Sequence, residues 1–121
     1  MNIIKVDEVP EESVTSPLFT GGPVTRQVLL STEMANVFEL GMVHFAPGAR
    51  NKFHIHTSDQ VLFAITGNGI VATESHEHHV SSGDMIHIPA GEKHWHGATV
   101  DSSFSHITLL AAGNSTKQVE F

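Results

Sequence analysis

Residues 48–67 read GARNKFHIHTSDQVLFAITG, and residues 83–98 read GDMIHIPAGEKHWHGA. Each stretch contains a His-x-His step, His54-Ile55-His56 in the first and His94-Trp95-His96 in the second. A β-strand turns alternate side chains to one face, so the two members of each pair point the same way. Two imidazoles one pleat apart can grip a single ion at roughly 2.0–2.2 Å. Gln60 shares the parity of the first pair beyond the polar turn Thr57-Ser58-Asp59, and an amide oxygen is a serviceable hard ligand. Either pair alone is a weak signal in a chain with ten histidines, but together, framed by glycines, they are a strong one.

The sequence on either side is built from short β-type runs. From Val24 onward come VTRQVLLS, LGMVHFA, NKFHIH, QVLFAIT, GIVAT, HHVS, DMIHIPA, HWHGATV and FSHITLLAA. Such density of short strands at near-regular spacing is the signature of an all-β sandwich or barrel. Gly67-Asn68-Gly69 and Ser82-Gly83-Asp84 read as hairpin turns between them. The stretch STEMANVFELG (31–41) has helical propensity but is read as a loop leading into a strand. Residues 1–23 hold Pro10, Pro17, Gly21, Gly22 and Pro23, and are read as an N-terminal arm with one edge strand and a dimer contact. Residues 24–121 form the barrel.

Bulk composition removes several classes of function. The 121 residues suit one domain with a modest core, and 40% hydrophobic with 16% charged residues is ordinary globular composition. A net charge of -7 argues against a nucleic-acid binder, which needs Lys and Arg to replace phosphate counterions, and against a basic membrane patch. No long apolar run is present and MNIIKVDEVPEES lacks the layout of a signal peptide, so a cytoplasmic location is expected. Without cysteine there is no disulfide, thiolate nucleophile or zinc-thiolate site. The histidines point to metal binding, proton transfer or both.

The spacing of the two stretches resembles the cupin family. Its first motif is Gly, five residues, His-x-His, three or four residues, Glu, six residues, Gly; here Gly48, His54, His56, Gln60 and Gly67 keep every interval. The second is Gly, five residues, Pro-x-Gly, two residues, His, three residues, Asn, matched by Gly83, Pro89, Gly91, His94 and Ala98. Gln60 stands where the family usually has glutamate, and Ala98 where it usually has asparagine. The resemblance implies an antiparallel jelly-roll barrel (a double-stranded β-helix) of six to ten strands. It also implies one divalent ion held by His54, His56, Gln60 and His94. Manganese is the first expectation, and iron, nickel or zinc also suit imidazole with amide oxygen.

The run Phe45–Arg50 and the run Gly91–Ala98 are further similar to the manganese-dependent cupin hydroxynitrile lyases and to the cupins related to carboxymuconolactone decarboxylase. That resemblance implies catalytic roles for His96 and His106 facing the metal. It places Gly41, Val43, Phe45, Thr108 and Leu110 along the substrate pocket and His44 on the outer face. The remaining histidines have plain readings: His76, His78 and His79 are solvated, and His87 is structural. Trp95 faces away from the metal and packs against the other sheet or a partner subunit. The expected function is a metal-dependent lyase acting on a small oxygenated molecule, with cyanohydrin cleavage the sharpest case. The alternatives are an isomerase, decarboxylase-related enzyme or dioxygenase on the same site, or a cupin that only binds a ligand. A homodimer or higher homo-oligomer is expected because a small open barrel leaves strand edges to cover.

Overall fold

The computed structural model describes all residues from Met1 to Phe121. Its strands are β1 (Glu12–Ser13), β2 (Phe19–Thr20), β3 (Val24–Leu30), β4 (Phe38–Phe45), β5 (Arg50–Asn51), β6 (His54–His56), β7 (Gln60–Ala72), β8 (Glu77–Ser81), β9 (Met85–Ile88), β10 (Trp95–Ala98), β11 (Phe104–Ala111) and β12 (Thr116–Gln118). The only helical piece is a 3-10 turn at Val6–Glu8, and no helix is long and apolar enough to cross a membrane.

All pairings are antiparallel, and β7 belongs to both layers. Its first half pairs β11 and β9, giving one layer in the order β1-β3-β4-β11-β7-β9. Its second half pairs β8 and β10, giving the facing layer β8-β7-β10-β5-β2. This curled sheet is the expected all-β jelly roll. A short ladder of β12 on β6 and a bridge between His54 and His94 close the barrel where the histidines meet.

The point of transfer corrects one expectation. Gly67-Asn68-Gly69 is not a hairpin turn but the bend at which β7 passes from one layer to the other. Gly67 has a φ of 77°, and a Cβ there would lie 1.8 Å from the Ser103 carbonyl oxygen. Gly69 leaves room for the Phe104 ring, whose atoms would lie 2.6 Å from a Cβ. Such glycines mark bulges and close approaches as often as turns. The true reversal lies further on, where the Thr73 N–H donates to the His76 carbonyl. Ser82-Gly83-Asp84 does turn: the Asp84 N–H donates to the Ser81 carbonyl, and the Asp84 carboxylate accepts the Ser81 N–H.

The segment 31–37 is a loop into β4 as expected, opening on a tight turn in which the Met34 and Ala35 N–H groups both donate to the Ser31 carbonyl. Residues 1–23 supply two edge strands rather than one, β1 beside β3 and β2 beside β5. Gln27 holds the first part of this segment by donating to the carbonyls of Val6 and Val9. Between the layers, Val24, Phe45, Ala49, Ala64, Ala98 and Phe104 form the main core, and Leu62, Val71 and Ile88 a second cluster. Ala98 is thus a packing residue.

Candidate metal centre

Strand alternation brings His54 and His56 inward from β6, and the backbone bridge from His54 to His94 sets the third imidazole beside them. One ring nitrogen from each of the three lies within 4.8 Å of the others, and all three side chains are buried. Their second nitrogens are held from behind. His54 Nδ1 donates to the Lys52 carbonyl at 2.7 Å and His94 Nδ1 to the Glu92 carbonyl at 2.9 Å. A carbonyl only accepts, so in both neutral rings the lone pair is on Nε2. His56 Nδ1 lies 2.9 Å from the Thr116 hydroxyl, and its buried Nε2 has no partner.

Gln60 sharpens the test of whether an ion fits. Its amide nitrogen donates to the Thr108 hydroxyl at 2.8 Å, which leaves Oε1 facing His94 Nε2 at 3.0 Å. Two lone pairs therefore face each other beside an unpartnered imidazole nitrogen. A cation answers both, and the donor set of imidazole and amide oxygen fits a divalent metal.

Burial keeps these rings neutral. It lowers His54 to about 3 and His56 to about 4, each helped by the neighbouring His94, and it lowers His94 as well. Deprotonated imidazole is the form that ligates.

A second pair of imidazoles lies against the first group. His96 and His106 are both buried, with His106 Nε2 at 3.0 Å from His96 Nδ1. Strand alternation along β11 turns His106 to the same inward face as Phe104, while Ile65 of β7 is the extra residue where the β7–β11 register shifts. Burial pushes His96 well below its ordinary range, with His106 the next cause, and pushes His106 down to about 4.

A cavity of about 390 Å3 joins these groups, reaching His54, His56, Gln60, His96 and His106. Gly41, Val43, Thr108 and Leu110 line its wall as expected. Phe45 does not: it sits in the core, edge-on to His96 with ring centroids 5.9 Å apart. Its ring packs instead on Phe104 and on His106, with centroids 6.5 and 5.6 Å away. His44 is on the outer face, hydrogen-bonded to Ser105 and Gln27. Trp95 is buried under the guanidinium of Arg50, 4.5 Å from its ring centroid.

His76, His78 and His79 are exposed. His87 pairs with Asp59 at 2.8 Å, and Asp59 also accepts the Ala90 N–H, which ties the turn before Gln60 to the strand before Pro89.

Sequence reasoning missed Asn51, Arg26 and Thr116, all of which line the cavity. Arg26 is its only lysine or arginine. No spacing rule singles these residues out, although the position of Asn51 between Gly48 and His54 put it in the first motif.

The chain belongs to the cupin family, whose cupin domain matches residues 41–109, more than half of its length. Among curated proteins it is similar to the (R)-mandelonitrile lyase of Granulicella tundricola, 35% identical over 68 residues that cover 55% of this chain and 52% of that one. It is also similar to the acireductone dioxygenase of Leptospira biflexa, 45% identical over 49 residues, 37% of this chain and 28% of the other. The chain thus spans about half the length of the lyase and under a third of the dioxygenase. Among solved structures, a cupin-like protein from Thermotoga maritima superposes with a TM-score of 0.83 at 27% identity, over 89% of this chain and 84% of that one. The polyketide cyclase RemF from Streptomyces resistomycificus superposes at 0.89 and 19% identity, over 100% and 87%, a likeness of fold alone.

Proposed function

We propose that this protein is a metal-dependent lyase that cleaves a small hydroxyl-bearing molecule, and that an aromatic cyanohydrin is its best substrate. The observation that carries the proposal is the neutral His96–His106 pair, which opens on the same cavity as His54, His56 and Gln60. The similarity to a mandelonitrile lyase supports it.

His54, His56, Gln60 and His94 would hold one divalent ion, manganese by resemblance, whose Lewis acidity lowers the pKa of a substrate hydroxyl. These four ligands are uncharged, so they leave the full positive charge in place, where a glutamate at position 60 would reduce it. That shell also disfavours a 3+ state, which weighs against oxygen activation despite the 45% identity to a dioxygenase segment.

The chain's own residues then move the proton. One imidazole of the His96–His106 pair accepts it from the hydroxyl. The C–O bond becomes C=O as the bond to the nitrile carbon breaks, and its electron pair leaves on cyanide. The protonated pair returns the proton to cyanide, so aldehyde and hydrogen cyanide depart and the pair is neutral again. Val43, Thr108 and Leu110 shape the cavity wall for the organic part, and Gly41 leaves it open.

The test follows benzaldehyde release from mandelonitrile with manganese-loaded protein, alongside His96→Ala and His106→Ala. The parent should exceed manganese alone, and each variant should lose about a hundredfold or more in kcat, the low end for a positioned base. A parent no faster than free metal, or variants as fast as the parent, would overturn the reaction. In the same preparations, His54→Ala combined with His94→Ala should empty the metal site in elemental analysis. Unchanged metal content there would overturn the ligand assignment.

A further inference from the structure

We propose that Asn51 is a positioning residue that fixes, through two hydrogen bonds, which nitrogens of His96 and His106 carry protons. Its functional consequence rests on the reading of that pair given above. Asn51 ends β5, which runs antiparallel to β10, and the pairing of Arg50 with Gly97 sets Asn51 beside His96. The close approach depends on Gly97, where a Cβ would come within 2.4 Å of the Arg50 Cβ. Asn51 is buried and lines the cavity.

The assignment starts from a backbone donor. Asn51 Oδ1 lies 2.8 Å from the His96 backbone nitrogen, which can only donate, so the amide orientation is settled. The other end of that amide is therefore the NH2 group, 3.2 Å from His96 Nε2. An amide N–H can only donate, so His96 Nε2 carries the lone pair and the ring proton is on Nδ1. That proton faces His106 Nε2 at 3.0 Å, so His106 accepts there and carries its own proton on Nδ1. The chain of donors runs in one direction, from Asn51 to His96 to His106. It ends at His106 Nδ1, which is buried without a partner, as the last donor in a one-way chain must be unless another acceptor faces it.

The consequence is a division of labour that His96 and His106 do not set by themselves. With His106 Nε2 occupied by the His96 proton, the lone pair left to meet a substrate is His96 Nε2, now covered by the Asn51 amide. A substrate hydroxyl takes the place of that amide hydrogen, and His106 holds the ring from behind. Asn51 thus plays toward an imidazole the orienting part that a carboxylate plays elsewhere, with opposite polarity: it donates, and so selects the other tautomer.

Asn51→Asp keeps the acceptor for the His96 backbone N–H but replaces the donor with a carboxylate, which requires a proton on His96 Nε2. Asn51→Leu removes both contacts. The experiment records nitrogen-15 spectra of the histidine rings in zinc-loaded protein, which is diamagnetic, with His96→Gln and His106→Gln spectra for assignment. The parent should show a protonated Nδ1 and a bare Nε2 for both His96 and His106. Asn51→Asp should put the proton on His96 Nε2, with circular dichroism unchanged, and should lower kcat for mandelonitrile about a hundredfold with KM within about threefold. A parent with a protonated His96 Nε2, or an Asn51→Asp protein with Nε2 still bare, overturns the inference. The ring spectra need no substrate. An inactive parent with the expected tautomers would therefore sink the lyase reaction and leave the role of Asn51 standing.

Discussion

Gln60 is held between two demands: its N–H end is committed to Thr108, and its oxygen is aimed at the imidazole group. Glutamate in its place would lose the donor to Thr108 and bring a negative charge beside His94. The charge should bind a divalent ion at least as tightly. It should also make that ion a poorer acid, because it stabilises the resting state more than a developing oxyanion. The expected outcome for Gln60→Glu is equal or tighter manganese affinity by calorimetry with a lower kcat. Turnover equal to the parent would show that the neutral amide has no catalytic meaning.

Among the elements, β7 decides the architecture, because one strand of thirteen residues serves both layers. Its bend depends on Gly67, whose positive φ and contact with the Ser103 carbonyl leave no room for a side chain. Gly67→Ala should destabilise the protein by at least about 1–3 kcal/mol from the backbone conformation alone. Chemical denaturation measures this, and a midpoint like that of the parent would mean that the bend does not need glycine. The same bend explains why the motif glycine follows Gln60 at a fixed interval: it ends the half of β7 that carries Gln60 and begins the half that pairs β10.

At the scale of the molecule, five buried histidines, His54, His56, His94, His96 and His106, have lowered pKa values. Unfolding returns each toward 6.5, so between that value and about 3 to 4 the unfolded chain binds more protons than the folded one. Metal-free protein should therefore be most stable above pH 6.5 and lose stability steadily as pH falls toward 4, with proton uptake on unfolding. Scanning calorimetry across that range tests this, and a flat profile would mean that the rings are not held neutral.

The sequence by itself determined the strands, the two spaced motifs and the inward parity of His54, His56, Gln60, His94 and His96, because strand alternation and glycine spacing are local properties. It could not tell a bend from a turn at Gly67-Asn68-Gly69, since glycine permits both and the partner of each half of β7 comes from distant sequence. Family resemblance placed Phe45 in the pocket wall, but the depth of a position along an inward row depends on what packs beneath it. Asn51 was invisible as a partner of His96, 45 residues away, until β5 and β10 were paired. Only the tertiary structure could decide the tautomers of His96 and His106, because a ring proton follows the hydrogen bonds around it and those come from three separate strands.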